Sequence, residues 1–67
     1  MITDKQLFAF TQFVGDVIGK EITKADLASK AAANFKVSPK EAAELVTRCE
    51  ELEYIERIDS GYRITTV

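Results

Sequence analysis

One run of residues constrains this chain more than any other, a continuous grammar from Ser38 to Thr66. Ser38-Pro39-Lys40-Glu41 opens it as a capping box: the Ser38 hydroxyl accepts from the Glu41 backbone N–H, and Glu41 reaches back to Ser38. Pro39 suits the first helical position, where no N–H is needed. Behind the box, Ala42, Leu45, Val46, Cys49 and Leu52 form an apolar face at helical spacing. Then the period changes. Two β-forming stretches, near Tyr54–Ile58 and Tyr62–Thr66, flank Asp59-Ser60-Gly61, which fits a three-residue turn with Gly61 supplying the left-handed conformation. A two-stranded hairpin is not stable alone, so it must pack on the helices, with Ile55, Ile58, Tyr62 and Ile64 inward and Arg57 and Arg63 outward.

The first half supplies those helices. Thr3-Asp4-Lys5-Gln6 offers a second capping box, and Leu7, Phe10, Val14, Val17 and Ile18 recur at helical spacing, predicting a helix over Asp4–Ile18 that ends at Gly19. Phe13 flanks the stripe, while Phe8 lies well off it. Glu21-Ile22 is a short extended link with Ile22 inward. Thr23 caps a second helix, Thr23–Phe35, with Asp26 as box partner and Leu27, Ala28, Ala31, Ala32 and Phe35 as its buried stripe. Its small alanines let a third helix, Pro39–Leu52, approach closely. The expected core is Leu7, Phe10, Val14, Val17, Leu27, Ala31, Phe35, Val37, Leu45, Val46, Cys49, Leu52, Ile55 and Ile64.

Length limits what such a chain can build. With 67 residues it makes one domain, over 1-67, and no residues are spare for a deep catalytic cavity. A hydrophobic content of 46% with 30% charged residues describes an ordinary soluble globule. Neither a charged-then-apolar leader nor a long uncharged apolar run is seen, so the expectation is no signal peptide, no membrane segment and a cytoplasmic location. The single cysteine, on an apolar helical face, reads as a buried structural thiol. With no histidine, one cysteine and no glycine-rich phosphate loop, the expectation is a protein that is not an enzyme and has no metal or cofactor. Glu50, Glu51 and Glu53 diverge around a helix and read as solubilising charge rather than an acid–base pair.

Three stretches carry a resemblance. Ile22-Thr23-Lys24-Ala25-Asp26-Leu27-Ala28, the Val37-Ser38-Pro39 turn and Leu52-Glu53-Tyr54-Ile55-Glu56-Arg57 resemble the winged helix-turn-helix superfamily of small DNA-binding domains, over nearly the whole chain from Asp4 to Thr65. The resemblance implies an α+β fold, a three-helix winged helix-turn-helix with a C-terminal β-hairpin wing. It also implies a transcriptional regulator that binds double-stranded DNA, with the third helix in the major groove and the wing on an adjacent groove or the backbone. On that model Lys40, Ala43, Glu44 and Thr47 face the groove, Lys24 and Lys36 hold the backbone, and Arg57, Ser60 and Arg63 work in the wing. Two departures stand out: Ala31-Ala32-Ala33-Asn34-Phe35 lengthens the second helix or its turn, and Glu53 replaces the usual glycine before the first wing strand.

Charge placement pulls both ways. Thr23 to Lys40 carries four lysines against Asp26, a local +3; Glu41 to Glu56 carries six glutamates against Arg48, a local −5; the chain from Arg57 onward sums to +1. Clustered cations near the start of the third helix suit phosphate binding, whereas the net charge of −2 does not. With the apolar face inward, Lys40, Ala43, Glu44, Thr47 and Glu51 point outward. Glu44 repels phosphate unless it accepts from cytosine N4 or pairs with Arg48 four residues on. The alternative expectation is therefore a winged-helix protein–protein interaction module without significant DNA affinity, binding through its acidic third helix or its Phe8 face; Phe8 itself reads equally as a dimer contact or as folded under the N-terminal arm with Ile2. Tyr54 and Tyr62 read as packing residues before base-stacking ones.

The capping box yields a test of the third helix. Ser38→Ala is expected to cost about 1 kcal/mol by leaving a backbone donor without its acceptor. In a domain this small the melting midpoint then falls by roughly 4–8 °C. An unchanged midpoint would mean that the helix starts elsewhere.

Overall fold

The computed structural model describes residues 2–66. Its elements follow the order α1 (Asp4–Val17), β1 (Glu21–Ile22), α2 (Lys24–Phe35), α3 (Pro39–Glu51), β2 (Ile55–Ile58) and β3 (Gly61–Ile64). Three helices carry a three-stranded antiparallel sheet of order β1-β3-β2, the α+β layout of a three-helix winged helix with a β wing. The stretch read as an extended link is thus a strand, pairing Glu21 with Arg63 and Ile22 with Tyr62.

Each helix starts where its side-chain chemistry says. Thr3 forms a complete capping box with Gln6, its hydroxyl accepting from the Gln6 N–H while the Gln6 side chain accepts from the Thr3 N–H. Thr23 accepts from the Asp26 N–H, and Ser38 from the Glu41 N–H at 3.2 Å. The Ser38 hydroxyl also lies 3.4 Å from the Glu41 carboxylate, so Glu41 meets the cap through its side chain.

Two helices end on left-handed residues that are not glycine. Lys36, at φ 55°, closes α2, with the Val37 N–H returning to the Ala32 carbonyl. Glu53, at φ 64°, follows α3, with the Tyr54 N–H on the Cys49 carbonyl and the Glu53 N–H on the Glu50 carbonyl. That pair of bonds is a Schellman motif, which satisfies the last carbonyls of the helix. The Thr65 hydroxyl donates to the Glu53 carbonyl at 2.6 Å, tying this turn to the end of the sheet.

Leu7, Phe10, Val14, Leu27, Ala31, Val46, Cys49, Ile55 and Ile64 are buried as expected, and Ile22, Ala42 and Tyr62 complete the core. Phe35, Val37, Leu45 and Leu52 pack on it while partly buried. Val17 is a correction: it is 65% exposed. At 100° per residue Val17 sits roughly 80° from Leu7, and at the last turn nothing covers that flank. Phe10, nearly as far round, is covered by Phe35, with ring centroids 5.3 Å apart. The strands correct a second reading. Ile55 pairs with Ile64 and Arg57 with Tyr62, so Arg57 shares the helix-facing side of the sheet, and half-buried Ile58 falls on the other. Strand alternation forbids Ile55 and Ile58 from sharing one face.

Gly61 fixes the sheet against α2. It has φ 147°, and a Cβ there would lie 2.4 Å from the Ile22 carbonyl oxygen and 2.7 Å from the Thr23 Cα. Gly61→Ala is therefore expected to destabilise by about 1–3 kcal/mol in thermal unfolding. Glu53→Gly should act oppositely, relieving roughly 1 kcal/mol of left-handed strain and raising the midpoint. A lowered midpoint for Glu53→Gly would show that the side chain, not the backbone, holds the end of α3.

Candidate nucleic-acid interface

The helix-turn-helix element is α2, the three-residue turn Lys36-Val37-Ser38, and α3; its two helices make the most extensive inter-element packing in the molecule. Ala31 and Ala42 are fully buried, and these small side chains let the backbones approach. With α3 anchored by Ala42, Val46 and Cys49, its exposed residues include Lys40, Ala43, Glu44, Thr47 and Glu51. The outward face is therefore the one the periodicity requires. Thr47 donates its hydroxyl to the Ala43 carbonyl at 3.1 Å, so toward an external group its oxygen is an acceptor.

The structure brings together three of the other expected contact residues. Lys24, Arg57 and Ser60 line one open depression between the start of α2 and the tip of the wing, along with Asp59, Gly61 and Tyr62. Lys36 and Lys40 flank the turn between the helices. Arg63 is elsewhere, on the outer face of the central strand.

Ion pairing divides the cations by type. Arg63 lies between Glu21 and Glu56, one on each neighbouring strand, at 3.4 and 3.3 Å. Arg57 pairs with Glu50 of α3 at 3.1 Å. This hydrogen bond and the charge of the Glu50 carboxylate raise the Arg57 pKa above its ordinary value. Arg48 does not take Glu44, its neighbour one turn back; it reaches Asp4 in the first turn of α1. That pairing puts an anion at one helix N-terminus and a cation near another helix C-terminus, each matched to its helix dipole. Among the described residues all three arginines are ion-paired and no lysine is. Lys24, Lys30, Lys36 and Lys40 are all exposed.

Sequence reasoning placed these cations but missed their partners. Glu50 reads as solubilising charge, and Glu21 and Glu56 have no partner assigned by the sequence, because their roles depend on strand register and on the docking of α3. A two-residue strand such as β1 leaves no periodicity to detect. Phe8 also gains a neighbour: it remains 38% exposed, but its ring meets Tyr54 edge-on at 5.3 Å. Tyr62 is 3% exposed and belongs to the core. Burial pushes the Cys49 thiol up to about 11, partly opposed by the Arg48 charge, which makes it an inert packing group.

Comparison of the chain with family models, curated proteins and solved structures found no match. Among the described residues no helix is long and apolar enough to cross a membrane.

Proposed function

We propose that this chain is a winged helix-turn-helix domain that binds double-stranded DNA as a small non-enzymatic regulator, with α3 presented to the major groove. The observation that carries the reading is the set of exposed lysines on the helix-turn-helix element, none of them ion-paired among the described residues, beside the open face of α3. A cation already paired with a carboxylate gives up that pair to meet phosphate, so lysines without a partner yield the full gain when they displace the DNA's counterions. Lys36 and Lys40 at the turn, and Lys24 beside the wing tip, supply backbone contacts; Lys40, Ala43, Glu44 and Thr47 form the reading face. Ser60 borders the Lys24 depression and offers a hydroxyl to the same phosphate path.

Arg57 and Arg63 take a reduced part on this reading, since each must leave a glutamate before meeting phosphate. Exposed ion pairs are weak, about 0–1 kcal/mol, so the exchange is possible but lowers the net gain. A second reading, a protein-binding module, is favoured by those paired wing arginines together with exposed Glu44 and Glu51 on α3, neither of which is ion-paired among the described residues.

Titration of a fluorescent random duplex at several salt concentrations separates the two. DNA binding predicts that Lys36→Ala with Lys40→Ala weakens affinity for any duplex and reduces the log–log salt slope by roughly 2. Glu21→Gln with Glu56→Gln should free Arg63 and steepen the slope by about 1. Glu44→Gln should strengthen nonspecific binding. An absence of duplex binding even at low salt would overturn the DNA reading, and the module reading then expects Glu51→Lys to damage a protein complex.

A further inference from the structure

Helix α1 carries a second outward face that neither the core nor the helix-turn-helix uses. Phe13 is 55% and Val17 65% exposed, and Gln6 and Ala9 are exposed on the same side. At 100° per residue these four fall within about 80° of arc, one continuous stripe down the helix. Beside it Gln6, Ala9, Phe10, Phe13, Asn34 and Phe35 border a shallow depression between α1 and the end of α2. Two large apolar side chains standing free at adjacent turns is costly exposure for so small a domain, and a stripe of this kind marks a contact surface.

We propose that this face pairs with the same face of a second copy of the chain, the two α1 helices running antiparallel about a two-fold axis. The stripe is complementary to itself in that orientation and in no parallel one. Ala9 is the small residue of the stripe and Phe13 the large one, so an axis midway between them sets each Phe13 over the partner's Ala9 and into its depression. Lys5 and Asp16 flank the stripe on a common side, roughly 20° apart in azimuth. Their midpoint along the helix lies within about 1 Å of the Ala9–Phe13 midpoint, taking a rise of 1.5 Å per residue. One axis therefore satisfies both relations, setting the Lys5 ammonium of each copy opposite the partner's Asp16 carboxylate. Among the described residues neither Lys5 nor Asp16 has an ion pair within its own chain. Every contact occurs twice, as an isologous interface requires. A parallel two-fold would instead set Phe13 against Phe13 and carry the Lys5 and Asp16 flanks to opposite sides of the seam, leaving them without each other.

Sedimentation velocity over a concentration series tests this without reference to DNA. The chain should shift from 7.5 kDa toward twice that mass as concentration rises. Phe13→Glu should hold it at the monomer. Lys5→Glu alone and Asp16→Lys alone should each weaken association by roughly tenfold, because two attractions become two repulsions. The double variant Lys5→Glu with Asp16→Lys should restore it. All three positions are exposed, and a circular dichroism melt of each variant confirms that the fold is kept. A wild-type chain that stays monomeric at every concentration would overturn the proposal, leaving the face to a partner of different sequence. A dimer indifferent to Phe13→Glu, or not restored by the double exchange, would also overturn it.

Discussion

Strand β3 is hydrogen-bonded on both edges, and through it the two halves of the chain become one structure. On one side it pairs with β1, which leads directly into α2; on the other it pairs with β2, which continues from α3. Its ends reach further. The Ile64 N–H donates to the Lys20 carbonyl, the Thr65 N–H to the Tyr54 carbonyl, and the buried Thr66 hydroxyl to that of Thr11 at 3.1 Å. Thr11 in turn donates to the Phe8 carbonyl, so a polar pair inside the core is fully partnered. Ile64 packs so tightly on α1 that a Cβ at Gly15 would lie 3.2 Å from its methyl group. Four residues of strand thus clamp the first helix, the second helix and the wing at once.

That clamp also sorts the charges. Arg63 stands on the solvent side of β3, and because the strand is central it meets a carboxylate from each neighbour. Arg57 stands on the opposite side and is caught by α3. Arginine's planar fork suits such paired or bridging positions, while a lysine ammonium on a flexible stem pairs less readily. The fold therefore consumes its arginines as ties between elements and leaves its lysines to solvent. A chain of net charge −2 can in this way present a local positive surface around the α2–α3 turn.

Local chemistry made most of the fold legible. All three N-caps lie where Thr3, Thr23 and Ser38 indicate, because a cap is decided within four residues. The helix ends differ from expectation by a residue or less, since Ile18, Lys36 and Leu52 stand at the cap positions. What escaped depends on contacts distant in sequence. β1 is a strand only because β3 arrives beside it forty residues later. Arg48 prefers Asp4 to Glu44 because α1 docks over the end of α3. The exposure of Val17 depends on which flank of α1 the other elements cover, which no period within α1 encodes. The site follows the same rule: the outward face of α3 was readable from its own apolar stripe, whereas the neutralisation of Arg57 and Arg63 required the register of the sheet.

The left-handed residues sharpen the contrast between what local rules prefer and what this chain retains. Glycine is the unstrained choice at the end of a helix, and a non-glycine residue there costs roughly 1–2 kcal/mol. Domains of this length are typically stable by only about 3–10 kcal/mol, so two such residues are a large concession. At Glu53 the surroundings offset it, through two Schellman bonds and the Thr65 hydroxyl. At Lys36 the Lys36 and Val37 N–H groups both return to the Ala32 carbonyl, but among the described residues no side chain ties this turn, and the lysine side chain is open to solvent. A glycine there would relax the backbone and delete one of the four lysines on the helix-turn-helix element. The strained residue thus stands where a cation stays free, at the mouth of the turn that aims α3 outward.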